Sequence, residues 1–174
     1  AIVYPCDPDS LQTALSGAFA GYLEPVLVGP EARIRDVALK AGLDISRLPI
    51  IDTPDDSRVA AQRAVEIARD RKVAAIVKGS MSDADLLAPV AAPDSGLRTD
   101  RRLSHAFFVD LPGRPSGLLV ADAQLNIAPN LAAKKDIVAN TIELARALGV
   151  AAPGVALLAA MDYVTPAFAS TASG

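Results

Sequence analysis

The residues best suited to chemistry follow a short apolar run near the middle of the chain. The run ends at Lys78, Gly79 and Ser80, and Ser82 stands where a helix is predicted to begin. A strand that ends in a glycine turn and leads into a helix presents free backbone N–H groups to an anion. The segment therefore predicts a site for a phosphorylated substrate or cofactor. On the residues alone, Lys78 could equally be a solvated strand end and Ser82 only a helix N-cap.

Three arginines follow this segment and could bind phosphate groups. They are Arg98, Arg101 and Arg102, and Arg98 is the strongest candidate because Gly96 precedes it in a turn. Such a run of charge could also be a solvated face or a set of salt bridges. His105 begins an apolar stretch, which favours a structural histidine over a catalytic base.

Asp122 and Asn126 lie between a predicted strand and a predicted helix. They could line a binding cleft, or they could satisfy backbone groups in turns, and the sequence leaves both readings open. The chain has one cysteine, Cys6, and one histidine, which excludes a disulfide framework and metal sites built from Cys or His. No metal ligand set is predicted.

The elements that would position these residues alternate between strand and helix. Strands are predicted at 1–4, 25–28, 49–53 and 73–77, with helices between them that start at Ser10, at Pro30 and at Asp55. The second of these helices is predicted to end at Gly42. The run at 73–77 is continuously apolar, which predicts a central parallel strand. Beyond residue 103 the pattern predicts an antiparallel hairpin from 106–111 and 118–122, a helix over 129–148 and a strand at 155–161. The predicted fold is α/β with lobes at 1–102 and 103–174.

Composition narrows the class of protein. Of the 174 residues, 51% are hydrophobic and 4% aromatic, which favours helices packed on a buried aliphatic sheet. The net charge is -3 and no basic face carries interleaved aromatics, so no nucleic acid partner is predicted. No apolar run is long enough for a membrane span, and a cytoplasmic location is expected. The chain starts at Ala1 rather than Met and 170–174 reads as an uncontinued helix start, so we expect a fragment.

Several segments form an ordered series across nearly the whole chain. They are KGS at 78–80, GLR at 96–98, RRLSHAFFVDLP at 101–112, ADAQLNIAP at 121–129, KKDIVANTIELARALGV at 134–150, PGVALLAA at 153–160 and Ser170-Thr171. This series resembles the phosphate acetyltransferase/phosphate butyryltransferase family. It is most similar to the butyryltransferase-like branch, which includes acetyltransferase domains fused to enoyl-CoA hydratase.

The resemblance implies a two-lobed fold of the isocitrate/isopropylmalate dehydrogenase type, a homodimer, and a site in the cleft between lobes. It implies reversible acyl transfer in which acetyl- or butyryl-CoA and inorganic phosphate give acyl phosphate and free coenzyme A. Coenzyme A would be a substrate, with no permanently bound cofactor and no metal. The family's base lies in a distal Ser-Arg…Asp-Ser motif that has no match here, so the catalytic residue is unknown. The implied substrate-binding residues are Lys78, Gly79, Ser80, Ser82, Arg98, Asp122 and Asn126.

Two positions differ from the family pattern. Members commonly carry Thr at the position of Asp83, and many carry Arg at the position of Ala88. A carboxylate near a phosphate subsite disfavours anion binding unless a cation neutralises it. The alternative hypothesis is therefore a non-catalytic domain that binds coenzyme A or another anion. A relative that uses a nicotinamide cofactor and a metal would need an Asp cluster and His ligands that the sequence does not show.

Overall fold

The computed structural model describes residues 1–113, 117–159 and 161–165. The chain forms two compact units, Ala1–Arg98 and Thr99–Gly174, which we call unit 1 and unit 2. Within the described ranges, no helix has the length and apolar character needed to cross a bilayer.

Unit 1 alternates strands and helices around a parallel sheet in the order β3-β2-β1-β4. The chain runs from β1 to β2 and β3 on one side and then returns to place β4 on the other side of β1. The elements are β1 (Ile2–Val3), α1 (Pro8–Phe19), β2 (Leu27–Gly29), α2 (Glu31–Ala41), β3 (Ile50–Asp52), α3 (Ser57–Arg69), β4 (Val77–Lys78) and α4 (Asp83–Ala91).

The helices of unit 1 begin and end at residues whose chemistry explains the boundary. Asp7 caps α1 and Asp56 caps α3 by accepting hydrogen bonds from backbone N–H groups two or three residues on. Gly42, at φ 67°, ends α2 in the left-handed region, as the sequence predicts. The core between sheet and helices is aliphatic, and its largest fully buried members include Val3, Leu11, Leu27, Val28, Ile34 and Ile67.

The fourth strand differs from the prediction in length and position. Only Val77–Lys78 pairs as a strand, and β4 lies at the edge of the described sheet with β1 as its neighbour. It is parallel, as predicted, but it is not central. The apolar run is not buried either, since Val77 is 41% exposed. An apolar run does not say which strand lies beside it, because pairing is decided by residues far away in the sequence.

Unit 2 contains the predicted hairpin and long helix. Strands β5 (Ala106–Val109) and β6 (Leu118–Ala121) pair antiparallel, and α5 (Leu131–Ala147) packs against β6. Residues 155–159 form no strand, so that prediction is wrong, since in the described part of the chain no strand pairs with them. The last residues of the resembling series, Ala160 and Ser170-Thr171, lie outside the described residues.

Candidate functional site

The candidate site in unit 1 lies at the carboxyl ends of β1 and β4. The strand order reverses between these two neighbouring strands, because β2 and β3 lie on one side of β1 and β4 lies on the other. In open parallel sheets, ligands bind in the crevice outside the carboxyl ends of the strands at this switch point. Lys78 ends β4 there, and the Gly79–Ser82 turn connects β4 to α4.

Gly79 allows this turn to lie directly against β1. A β-carbon on Gly79 would come within 2.5 Å of the Val3 carbonyl oxygen, 2.8 Å of the Tyr4 carbonyl oxygen and 3.0 Å of the Pro5 Cα. All three atoms are backbone, so a side chain could not be accommodated by a rotamer change. The glycine is required here by close approach of two chain segments.

The turn differs from the predicted cradle of free N–H groups. The N–H of Gly79 donates to the Val3 carbonyl and that of Ser80 to the Tyr4 carbonyl, each at 2.9 Å. The N–H of Met81 donates to the Gly79 carbonyl at 2.9 Å. These donors are used because the chain continues its hydrogen bonding to β1 past the end of β4. The turn is thus fixed by β1 and offers an anion fewer backbone donors than the sequence predicts.

Hydrogen-bond donors available to an anion lie just after this turn, at the start of α4. Ser82 caps the helix and accepts a hydrogen bond from the N–H of Asp85 at 3.1 Å. In the described structure the N–H groups of Asp83 and Ala84 in the first turn have no acceptor. The hydroxyl of Ser80 is exposed and also makes no hydrogen bond there. These groups and the helix dipole favour a negative charge at this point.

The side chain of Lys78 contacts the same first turn of α4. Its Nζ donates to the Met81 carbonyl at 3.1 Å and lies 3.0 Å from a carboxylate oxygen of Asp83. The carboxylate that would oppose an anion is therefore neutralised by the cation that would bind it. The other acidic residue of the turn, Asp85, pairs with Arg58 at 2.8 Å and accepts from the Ser57 hydroxyl at 3.1 Å.

Three hydrogen-bonded side chains form a cluster at the same edge of the sheet, and the sequence does not predict it. The hydroxyl of Tyr4 donates to Asp55 at 2.5 Å, and Arg33 donates to the Tyr4 oxygen at 2.8 Å and to Asp55 at 3.0 Å. The hydrogen bond to Asp55, with burial as the next cause, raises the pKa of Tyr4 to about 12. One signal could have found it: Tyr4 and Asp55 follow strands whose carboxyl ends share one edge of a parallel sheet.

Tyr4 also connects this cluster to the candidate site. Its backbone has φ 53°, an uncommon value for a residue other than glycine. Its carbonyl accepts from the N–H groups of both Ser80 and Cys6. Cys6 itself is buried, and this burial raises the pKa of its thiol to about 11, so the thiol is protonated at neutral pH.

The three arginines have different surroundings. Arg98 ends unit 1 and is exposed, with no hydrogen bond or ion pair in the described structure. Arg101 makes two hydrogen bonds to the Glu143 carboxylate, at 2.7 and 2.8 Å, and this pairing raises its pKa. Arg101 therefore acts as a salt-bridge residue within unit 2. Arg102 donates a hydrogen bond to the Asn126 side-chain oxygen at 3.4 Å and borders a polar cavity of about 260 Å³ at the start of α5.

Asp122 and Asn126 lie together in the loop after β6 and stabilise it. The Asp122 carboxylate accepts from the N–H groups of His105, Gln124 and Leu125 and from the Asn126 amide. Burial favours a higher pKa for Asp122, but these hydrogen bonds outweigh it and lower the pKa to about 2. The Asn126 amide also donates to the Leu103 carbonyl at 3.0 Å. Both side chains thus satisfy backbone groups, one of the two readings that the sequence left open.

His105 is placed as a structural residue. Its ring meets that of Phe107 edge to face, with centroids 4.4 Å apart. Its Nδ1 is buried without a hydrogen-bond partner in the described chain, so no carboxylate orients it as a general base.

A cation and a helix N-terminus at the switch point of a parallel α/β sheet are the arrangement of a protein that binds an anionic ligand. Comparison with known proteins identifies which class this is. The family model described as "Phosphate acetyl/butaryl transferase" matches residues 58–173. The chain therefore belongs to the phosphate acetyl/butyryl transferase family.

Individual relatives agree with this assignment. The chain is 44% identical over 170 residues to a phosphate acetyltransferase of Rhizobium meliloti, an alignment that covers 98% of this chain and 54% of the relative. It is 30% identical to a phosphate butyryltransferase of Clostridium acetobutylicum, covering 98% of this chain and 56% of the relative. The chain thus spans about half the length of the curated relatives it matches.

A solved structure shares the fold. The crystal structure of a branched-chain phosphotransacylase from Enterococcus faecalis superposes with a TM-score of 0.79 at 24% identity, covering 99% of this chain and 60% of that one. The predicted fold class, α/β with a mostly parallel sheet and an antiparallel hairpin, is confirmed.

Proposed function

We propose that this protein catalyses reversible acyl transfer between coenzyme A and inorganic phosphate. Acetyl- or butyryl-CoA and phosphate would give the acyl phosphate and free coenzyme A. Family membership and relatives named for both acyl groups support the proposal. The observation that carries it is the position of Lys78 and the first turn of α4 at the switch point between β1 and β4.

The chemistry assigns a task to each group of this site. A phosphate oxygen attacks the thioester carbonyl carbon, a C–O bond forms and the C–S bond breaks. The leaving thiolate takes up the proton that the attacking phosphate loses, which gives free coenzyme A. The ammonium of Lys78 offsets the charge of the phosphate, while the hydroxyls of Ser80 and Ser82 and the first N–H groups of α4 orient its oxygens. Gly79 contributes by holding the turn against β1.

Further binding residues extend the proposal. Arg98 is exposed and uncommitted in the described structure, so its guanidinium is available to a phosphate group of either substrate. Asp122 and Asn126 would act as positioning residues, because their side chains fix the loop after β6. We assign no described residue as the base. Homodimer formation and a cytoplasmic location are also predictions.

The test is an assay of the full-length protein. Acetyl-CoA or butyryl-CoA is mixed with inorganic phosphate, and free thiol is measured with a chromogenic disulfide while acyl phosphate is trapped with hydroxylamine. Release of thiol that depends on phosphate, with matching acyl phosphate, is expected. Absence of both products with either substrate would refute the proposal.

A second candidate function is binding of coenzyme A or phosphate without turnover. The contact of Asp83 with Lys78 favours it, because this pair satisfies the cation of the site without a ligand. Calorimetry separates the two candidates: coenzyme A binding without thiol release in the complete protein supports the second, and turnover excludes it.

A further inference from the structure

We propose that Asp83 sets the affinity of the phosphate subsite by competing with phosphate for the ammonium of Lys78. The inference rests on the proposed function, since it concerns the subsite assigned there. Asp83 would be an affinity-determining residue that touches the same cation as the substrate.

The contact is close but open to exchange. In the described structure the Lys78 ammonium forms an ion pair with Asp83 at 3.0 Å and donates one hydrogen bond, to the Met81 carbonyl at 3.1 Å. The side chains are 43% and 66% exposed, so an anion in solution reaches both. Exposed ion pairs are held weakly and are screened by salt. Phosphate can therefore displace Asp83 from the ammonium without a rearrangement of the backbone.

The charges around the turn single out Asp83. Asp85, in the same turn, is paired with Arg58, a cation that the proposed subsite does not use. When phosphate takes Lys78, Asp83 loses its partner and becomes an unpaired negative charge beside the bound anion. Phosphate therefore meets both competition for the cation and repulsion from the displaced carboxylate. The repulsion grows with the charge of the anion, whereas the cost of breaking the Lys78–Asp83 pair does not.

Asp83→Asn removes the competing charge and keeps the shape of the side chain. In the full-length protein at low ionic strength we expect the dissociation constant for inorganic phosphate, measured by calorimetry, to fall about three- to tenfold. The KM for phosphate should fall in parallel. The gain should be smaller for nitrate, a monoanion, and should shrink at high salt.

Asp36→Asn is the matched control. Asp36 forms an exposed pair with Lys40 at 2.6 Å on α2, so the substitution changes the net charge equally and frees a lysine in the same unit. Its phosphate affinity should equal that of the unchanged protein. If Asp83 served only to start α4, Asp83→Asn would change the stability of the protein. It would not change the affinity for phosphate relative to the affinity for nitrate.

The outcomes separate this inference from the proposed function. Tighter phosphate binding in Asp83→Asn, with no thiol release by either the variant or the unchanged protein, supports the inference and refutes acyl transfer. Acyl transfer with unchanged or weaker phosphate affinity in Asp83→Asn overturns the inference alone. Equal gains in Asp83→Asn and Asp36→Asn, or no phosphate binding in any variant, also overturn it.

Discussion

Gly79 faces Val3 so closely that a β-carbon would lie 2.5 Å from the Val3 carbonyl oxygen, the same atom that accepts the Gly79 N–H at 2.9 Å. The turn cannot retreat without breaking that hydrogen bond. We expect Gly79→Ala to lower the free energy of unfolding by about 1–3 kcal/mol, as overpacking does elsewhere. Urea denaturation measures the change. Gly154→Ala is the control, since its added carbon meets no atom of the described residues within 4 Å, and an equal loss in both variants would contradict the argument.

The phenol of Tyr4 should titrate well above the ordinary range. Its hydrogen bond to Asp55, with burial, raises its pKa to about 12. A raised pKa in the folded state means that its stabilising effect is complete below about pH 10 and is lost as the pH rises toward 12. The difference in tyrosinate absorbance between the unchanged protein and Tyr4→Phe isolates this group from Tyr22 and Tyr163. A difference spectrum that titrates near pH 10 would refute the predicted network.

Local chemistry accounts for what the sequence predicts well. Ser82 is identified as a cap because a short hydroxyl precedes an acidic first turn, and it does cap α4. Gly42 is identified as a helix end because glycine alone enters the left-handed region without a steric cost. The hairpin of β5 and β6 is predicted because its two strands are close in sequence. Each of these signals is decided by neighbours along the chain.

Long-range pairing accounts for what the sequence misses. The N–H groups of Gly79 and Ser80 donate to the carbonyls of Val3 and Tyr4, each 76 positions earlier in the chain, so the predicted set of free N–H groups does not form. The edge position of β4 depends on β1 in the same way. The Tyr4–Asp55 contact joins residues 51 positions apart and has no local signature. These features follow from sheet order, which apolar runs do not encode.

Asp122 should make unit 2 sensitive to acid. Its pKa is lowered to about 2, because hydrogen bonds from Asn126 and three backbone N–H groups outweigh the effect of burial. A lowered pKa in the folded state gives stability that is complete above about pH 4 and is lost as the pH falls toward 2. Asp122→Asn should flatten this slope and cost about 1–3 kcal/mol at pH 7, because it leaves backbone donors with a poorer acceptor. Denaturation from pH 7 to pH 2 tests this.

Asp94→Asn is the control for that experiment. Asp94 is exposed and makes no hydrogen bond in the described structure, so its substitution should leave both the slope and the stability at pH 7 unchanged. If Asp94→Asn and Asp122→Asn gave the same acid profile, the loop after β6 would not be the source of the sensitivity.

Arg98 and Arg101 should differ in their effect on the proposed reaction, although only two residues separate them. The Arg101 guanidinium makes two hydrogen bonds to Glu143, whereas Arg98 has no partner in the described part of the chain. A guanidinium that binds a phosphate group contributes a charge-assisted pair, so Arg98→Ala should raise the KM for phosphate or for coenzyme A about tenfold in the full-length protein. Arg101→Ala should leave both KM values within about twofold and have little effect on stability, because ion pairs exposed to solvent are held weakly. Steady-state kinetics for both variants decide the matter: an unchanged KM in Arg98→Ala, or a larger effect in Arg101→Ala, would remove Arg98 from the binding site.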